Sequence, residues 1–132
     1  MSSSILLKAG CISLIISLTL AWLTTLTRHL KIPIFTRIFV SDSYLLKSHI
    51  DFLLMSILLM VFSIFKVEVY PFIIVSTIIG SFMNPLSFLV LSIKPEINKS
   101  PTSIFGIYSS ISYILTTVGY IGLSLESISM NL

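Results

Sequence analysis

The sequence predicts an all-α integral membrane protein, built as a four-transmembrane-helix bundle. Mean hydropathy is +1.07, and 55% of the 132 residues are hydrophobic while only 10% are charged. That leaves too little polar surface for a soluble globule of this size. Four apolar runs are each long enough to cross a hydrocarbon core of about 30 Å as a helix. Residues 1–132 are therefore expected to form a single transmembrane domain, with helices at about 4–27, 44–65, 70–93 and 102–125.

The first apolar run is expected to be a retained helix. It is longer than the core of a secretory signal, has no small-x-small cleavage site at its end, and closes in Arg28-His29-Leu30-Lys31. Residues 28–43 then mix cations with apolar side chains. Such a mixture is typical of an interfacial loop that lies on the lipid surface, and a lid over the mouth of the bundle is the alternative.

The starts of the later helices carry recognisable capping residues. Ser41-Asp42-Ser43 can cap the second helix, and Pro71 suits the first turn of the third, where a missing N–H is not needed. Ser100-Pro101 is expected to cap and start the fourth helix. Inside the third helix, Pro85 cannot donate to the carbonyl of Ser81, so a kink with a freed acceptor is expected there.

The distribution of cations predicts the orientation. Two connections between predicted helices share one side of the membrane, and the opposite side holds only Lys8 and Lys66. The positive-inside rule then predicts a protein of the bacterial inner membrane with both termini outside the cytoplasm. The basic side holds Arg28, Lys31, Arg37, Lys94 and Lys99. Because these cations flank apolar segments, the expected partner is membrane lipid and not nucleic acid.

Three ionisable residues lie at the start of the second helix. Lys47 and Asp51 are four residues apart and can form a structural ion pair on one helix face, or Asp51 can be protonated within the bundle. His49 projects to another face. Its imidazole could bond to a hydroxyl of a neighbouring helix, ligate a metal or haem iron, or handle protons.

Other polar groups in the apolar runs are open to two interpretations. Asn84 is the most central amide, and it can join two helices or contact a substrate. The small residues of the fourth helix suit either bundle packing or an oligomer contact, namely Gly106, Gly119 and Gly122. The sequence has no glycine-rich phosphate loop, zinc-spaced Cys/His cluster or serine elbow, and its single cysteine, Cys11, excludes an intrachain disulfide.

Two short segments resemble motifs of a known family. Ser48-His49-Ile50-Asp51 resembles the Ala-His-Leu-Glu of the hydroxylaminobenzene mutases and styrene-oxide isomerases, which are small four-span membrane isomerases. Gly80-Ser81-Phe82-Met83-Asn84 resembles their Gly-x-Tyr-x-Asn in the third helix. The resemblance implies that His49 is the axial ligand of haem b, held between subunits of a trimer. In that family the ferric iron acts as a Lewis acid on an epoxide or a related substrate.

This chain departs from the family pattern at three positions. Met55 stands where the family has an asparagine, Phe82 replaces its tyrosine, and Pro85 replaces an aromatic residue. The resemblance leaves Asn84 as one candidate catalytic group. Tyr113 is the candidate for the missing hydroxyl, with Tyr120 as the alternative.

Three functions remain open from the sequence. The first is a small four-helix membrane protein with a haem b site ligated by His49, related to the membrane isomerases.

 The alternative is a non-catalytic structural or assembly subunit of a larger membrane complex. The third is a proton or small-solute carrier that uses Lys47, His49 and Asp51.

Overall fold

Five helices account for most of the chain. The computed structural model describes residues 1–130, and within that range it contains no strand. The helices are α1 (Ser2–Arg28), α2 (Pro33–Ile38), α3 (Asp42–Ile64), α4 (Pro71–Ile93) and α5 (Ile104–Met130). Four of them, all except α2, are long and apolar enough to cross a membrane. The expected all-α membrane architecture is confirmed, and α5 extends to Met130 where the sequence predicted an end near residue 125.

The interfacial segment contains a helix that the sequence analysis missed. Helix α2 begins at Pro33, whose ring suits the first helical position, and none of its six residues is buried. The segment therefore lies outside the packed part of the bundle.

The helix starts agree with the capping chemistry at two of three places. The Ser41 side chain caps α3 by accepting from the backbone N–H of Tyr44, and Pro71 occupies the first turn of α4. At α5 the cap is Ser103, whose hydroxyl accepts from the backbone N–H of Gly106 at 3.0 Å. The expected start at Ser100-Pro101 is corrected by about one turn, because these residues belong to the preceding turns.

Helices α1 and α3 pack closely through small and hydroxylated residues. Buried positions recur along α1 at alternating intervals of three and four, which places one narrow stripe against α3. A Cβ added to Gly10 would lie 3.2 Å from the carbonyl oxygen of Ser56. Ser13 donates to the carbonyl of Phe52 at 3.0 Å. Close backbone approach and hydroxyl–carbonyl bonds thus hold this pair, as is usual for helices that lack a hydrophobic driving force in lipid.

Helices α4 and α5 cross at two reciprocal glycine–threonine contacts. A Cβ on Gly80 would lie 2.6 Å from the backbone nitrogen of Thr116, and one on Gly119 would lie 2.6 Å from the Cα of Thr77. Gly106 serves a different purpose, because the carbonyl of Ser100 in the preceding loop lies directly over it. Gly106 and Gly119 of α5 therefore allow close packing within the chain.

Helix α3 lies between two neighbours. It packs against α1 on one side and α4 on the other, while α5 packs mainly on α4. The outward face of α5 is apolar and exposed, and α5 has the smallest buried share of the four long helices. This order places α3 where its side chains can reach partners in two directions.

Candidate functional site

His49 is held by a serine of the neighbouring helix. Its Nδ1 lies 2.8 Å from the backbone carbonyl oxygen of Ser17 and 3.0 Å from the Ser17 hydroxyl. That hydroxyl is also 3.0 Å from the carbonyl oxygen of His49, to which it can donate. Because a carbonyl can only accept, the short contact to Ser17 requires the hydrogen of a neutral imidazole to be on Nδ1.

The second ring nitrogen of His49 is left as a lone-pair donor. No residue of the 1–130 range forms a hydrogen bond with Nε2, and the side chain is partly exposed beside α1. Metal-ligating histidines commonly donate their other N–H to a carbonyl, which fixes the tautomer and the ring orientation. The interhelical bond expected as one role of His49 is thus present, and it leaves Nε2 uncommitted.

Asp51 has an amide partner on the other side of α3. Its Oδ2 accepts from the Asn84 side-chain amide at 2.6 Å. The expected ion pair between Lys47 and Asp51 is not formed, and Lys47 instead lies with Nζ 5.1 Å from the centre of the Tyr44 ring. The physical reason is that α4 presents Asn84 on the flank of α3 where Asp51 lies, while Lys47 is on the exposed face. Within residues 1–130 the one ion pair joins Arg28 and Asp42, at 3.6 Å.

Hydroxyl groups of two other helices bind the backbone of α4 near Pro85. Ser48 donates to the carbonyl of Pro85 at 2.9 Å, and Tyr108 donates to the carbonyl of Met83 at 3.0 Å. Helix α4 continues through the proline. Ser48 of α3 and Tyr108 of α5 thus bind α4 close to the proline, but neither of these two bonds reaches the Ser81 carbonyl, which is the acceptor that Pro85 leaves without its helical donor. Neither role was foreseen from the sequence, although Ser48 lies next to His49.

The two candidate tyrosines occupy different surfaces. Tyr113 is 57% exposed on the outer face of α5, and within the described chain it forms no hydrogen bond to His49 or Asn84. Tyr120 points inward, where its hydroxyl lies 2.7 Å from the Ser81 hydroxyl and 3.8 Å from the Met55 sulfur. The structure therefore places the Tyr120 hydroxyl beside Met55 and Ser81, inside the bundle.

The candidate residues are not gathered in one pocket of a single chain. His49 and Asp51 are two positions apart, so they project about 200° apart around α3. Only Asp51 and Asn84 are brought together. Two open clefts of about 440 and 450 Å³ lie near Glu68 at the end of the bundle that carries the N-terminus, and His49 lines neither.

No multidentate metal site is present in the part of the chain that the structure describes. Residues 1–130 contain no group of three or more His, Cys, Asp or Glu side chains placed to hold an ion. A haem iron that is held by one histidine does not require such a group.

Ser17 is the site residue that the sequence analysis missed. Its place on the same face of α1 as Ser13 and Gly10 is the pattern that could have drawn attention to it.

Comparisons with protein-family models, with curated protein sequences and with solved structures find no match for this chain.

Proposed function

We propose that this protein binds haem b in the membrane through Nε2 of His49 and is a relative of the four-span membrane isomerases. The observation that supports it most is the short contact between Nδ1 and the Ser17 carbonyl oxygen, at 2.8 Å. That contact assigns the hydrogen to Nδ1 and leaves Nε2 as the neutral ligand that haem iron requires.

The surroundings of His49 fit an axial ligand. The Ser17 carbonyl orients the ring and increases the basicity of the ligating nitrogen. The ring lies at the partly exposed junction of α1 and α3 and not inside a closed pocket. A group bound there would be covered by lipid or by a second copy of the chain. We therefore extend the proposal to a homo-oligomer, for which the family resemblance suggests a trimer.

The chemistry of the proposed site follows from the resemblance. Ferric haem would supply a Lewis acid for an epoxide or a related substrate. Asn84 would offer an amide that Asp51 holds in place at 2.6 Å on the other flank of α3, so it would contact a substrate at the haem of a neighbouring chain. Tyr113 would offer a hydroxyl from the outer face of α5, where it could meet His49 only across a subunit boundary. These are the residues that we assign to substrate contact.

An absorption spectrum tests the proposed haem ligand. The detergent-purified protein, supplemented with haem, should show a Soret band that His49→Ala abolishes. His29→Ala is the matched control, because His29 is exposed at the end of α1 and should leave the band unchanged. A protein without a Soret band, or with one that persists in His49→Ala, contradicts the proposal.

We also propose the bacterial inner membrane as the location, with both termini outside the cytoplasm. Support comes from the excess of Lys and Arg in the connection that precedes α3 and in the connection that precedes α5. A reporter enzyme that is active only outside the cytoplasm, fused to the C-terminus, should be active. A fusion of the same reporter within residues 94–103 should be inactive, and the reverse result contradicts this orientation.

A non-catalytic subunit is the second candidate. The outward face of α5 favours it, because this face is long, apolar and left uncovered by the other helices. Purification in a mild detergent distinguishes the two. A larger protein that copurifies in fixed proportion supports the subunit role, whereas a homo-oligomer that binds no other chain contradicts it.

A further inference from the structure

Two lysines from distant parts of the chain meet at one tyrosine. Lys47 has its Nζ 5.1 Å from the centre of the Tyr44 ring, and Lys99 has its Nζ 5.0 Å from the same point. Lys99 also donates to the Tyr44 hydroxyl at 2.9 Å. These three residues, called the Tyr44 cluster below, join the first turns of α3 to the connection between α4 and α5.

No carboxylate neutralises the cluster. Within residues 1–130 the one ion pair is between Arg28 and Asp42, so neither lysine has an acidic group within 4.0 Å. Asp51 accepts from Asn84. A tyrosine ring attracts each ammonium group but does not cancel the repulsion between the two. The cluster therefore has two positive charges that lack a counterion from the described chain.

The cluster is positioned by the fold and lies at the basic end of the bundle. The backbone N–H of Ser41 donates to the carbonyl of Ser92 at 2.9 Å, which ties the start of α3 to the end of α4. The Tyr44 hydroxyl then orients Lys99. Several other exposed cations share this end of the molecule, where phospholipid headgroups would surround a membrane protein. They are Arg28, Lys31, Arg37 and Lys94.

We propose that the Tyr44 cluster binds a phosphate-type oxyanion at the membrane surface. The ammonium groups of Lys47 and Lys99 neutralise the anion together, and Tyr44 holds them 5.1 and 5.0 Å from its ring centre. The oxyanion can come from the headgroup of an anionic phospholipid or from free phosphate. This site is separate from His49 and does not depend on a haem.

The test compares two double variants of the full-length protein in lipid nanodiscs. Lys47→Gln with Lys99→Gln removes both charges of the cluster. Arg37→Gln with Lys94→Gln removes two exposed charges from the same end and is the matched control for general surface attraction. One arm uses nanodiscs that contain both phosphatidylglycerol and phosphatidylcholine. The protein is extracted from them, and the phosphatidylglycerol that it retains is measured by mass spectrometry. The other arm measures inorganic phosphate binding by ³¹P NMR line broadening in pure phosphatidylcholine nanodiscs.

The cluster variant should lose about tenfold more affinity than the control, because a hydrogen bond to a charged group contributes at least that factor. Loss in the first arm identifies a lipid headgroup, and loss in the second identifies free phosphate. Equal losses for the two double variants in both arms overturn the proposal. Tyr44→Phe keeps both charges and lacks only the hydroxyl, so it covers the case in which the cluster variant does not fold. Wild-type binding by Tyr44→Phe in both arms also overturns the proposal.

Discussion

Ser17 and His49 are joined in both directions. The imidazole Nδ1–H donates to the Ser17 carbonyl at 2.8 Å, and the Ser17 hydroxyl is within 3.0 Å of the His49 carbonyl. The first contact involves only the backbone of Ser17, so a change of its side chain leaves it available. The second contact depends on the hydroxyl.

Ser17→Ala should therefore weaken haem binding only in part. The carbonyl continues to fix the tautomer of His49, so the loss should stay at or below the roughly tenfold lower limit for removal of an outer-shell partner. Ser13→Ala is the control, because Ser13 forms a similar bond to the carbonyl of Phe52, one turn away. It should leave haem affinity unchanged. Titration of each variant with haem, followed at the Soret band, measures both effects, and equal affinities for the two variants would contradict a contribution of the Ser17 hydroxyl.

Lys47→Gln should leave the stability of the bundle nearly unchanged. Its ammonium group contacts the Tyr44 ring at the surface and does not pair with Asp51. The free energy of unfolding should shift by less than about 0.5 kcal/mol, as is usual for exposed substitutions. Titration with a denaturing detergent measures this free energy. A large loss of stability would contradict the structure and support the ion pair with Asp51 that the sequence predicts.

Asn84→Leu should destabilise the protein more strongly. It removes the amide that donates to Asp51 at 2.6 Å and leaves the carboxyl group without that partner in the span. The expected cost is about 1–3 kcal/mol, which is typical of an unsatisfied buried polar group. A double-mutant cycle with Asp51→Leu should recover much of this loss. Additive effects of the two substitutions would show that Asp51 and Asn84 are not coupled.

Gly80→Ala should separate α4 from α5. The added Cβ would meet the backbone of Thr116 at 2.6 Å, and a backbone cannot move aside as a side chain can. Overpacking of this kind costs about 1–3 kcal/mol. Gly122→Ala is the control, since its Cβ would meet only the flexible side chain of Ile73 at 3.0 Å. Detergent unfolding should show a smaller loss for Gly122→Ala, and equal losses would contradict the close helix crossing.

Ser103→Ala should weaken the start of α5. The hydroxyl of Ser103 accepts from the backbone N–H of Gly106 at 3.0 Å, and loss of such a cap costs about 0.5–2 kcal/mol. Ser100→Ala should cost less, because the Ser100 hydroxyl reaches only Thr102 at the surface. The same unfolding measurement compares them, and a larger loss for Ser100→Ala would place the cap where the sequence predicted it.

Hydropathy predicted the spans well because length and apolar composition are local properties of the chain. Ser41 and Pro71 were found for the same reason, since a cap acts within its own first turn. The partners of His49 and Asp51 were not found. Each depends on which neighbouring helix covers a given flank of α3, and in a helix that is apolar on nearly every face the pattern of one sequence does not reveal this. The short helix α2 was missed because its six residues, which include a proline and a cation, resemble an irregular connection.

The contacts on the two flanks of α3 restrict how that helix can move. His49 is bonded to the backbone of α1, and Asp51 is bonded to the side chain of Asn84 in α4. A turn of α3 about its own axis in either direction would stretch one contact or compress the other. The rotation angle of α3 is therefore fixed. A molecule that binds at Nε2 would meet a ring whose direction is set jointly by α1, α3 and α4.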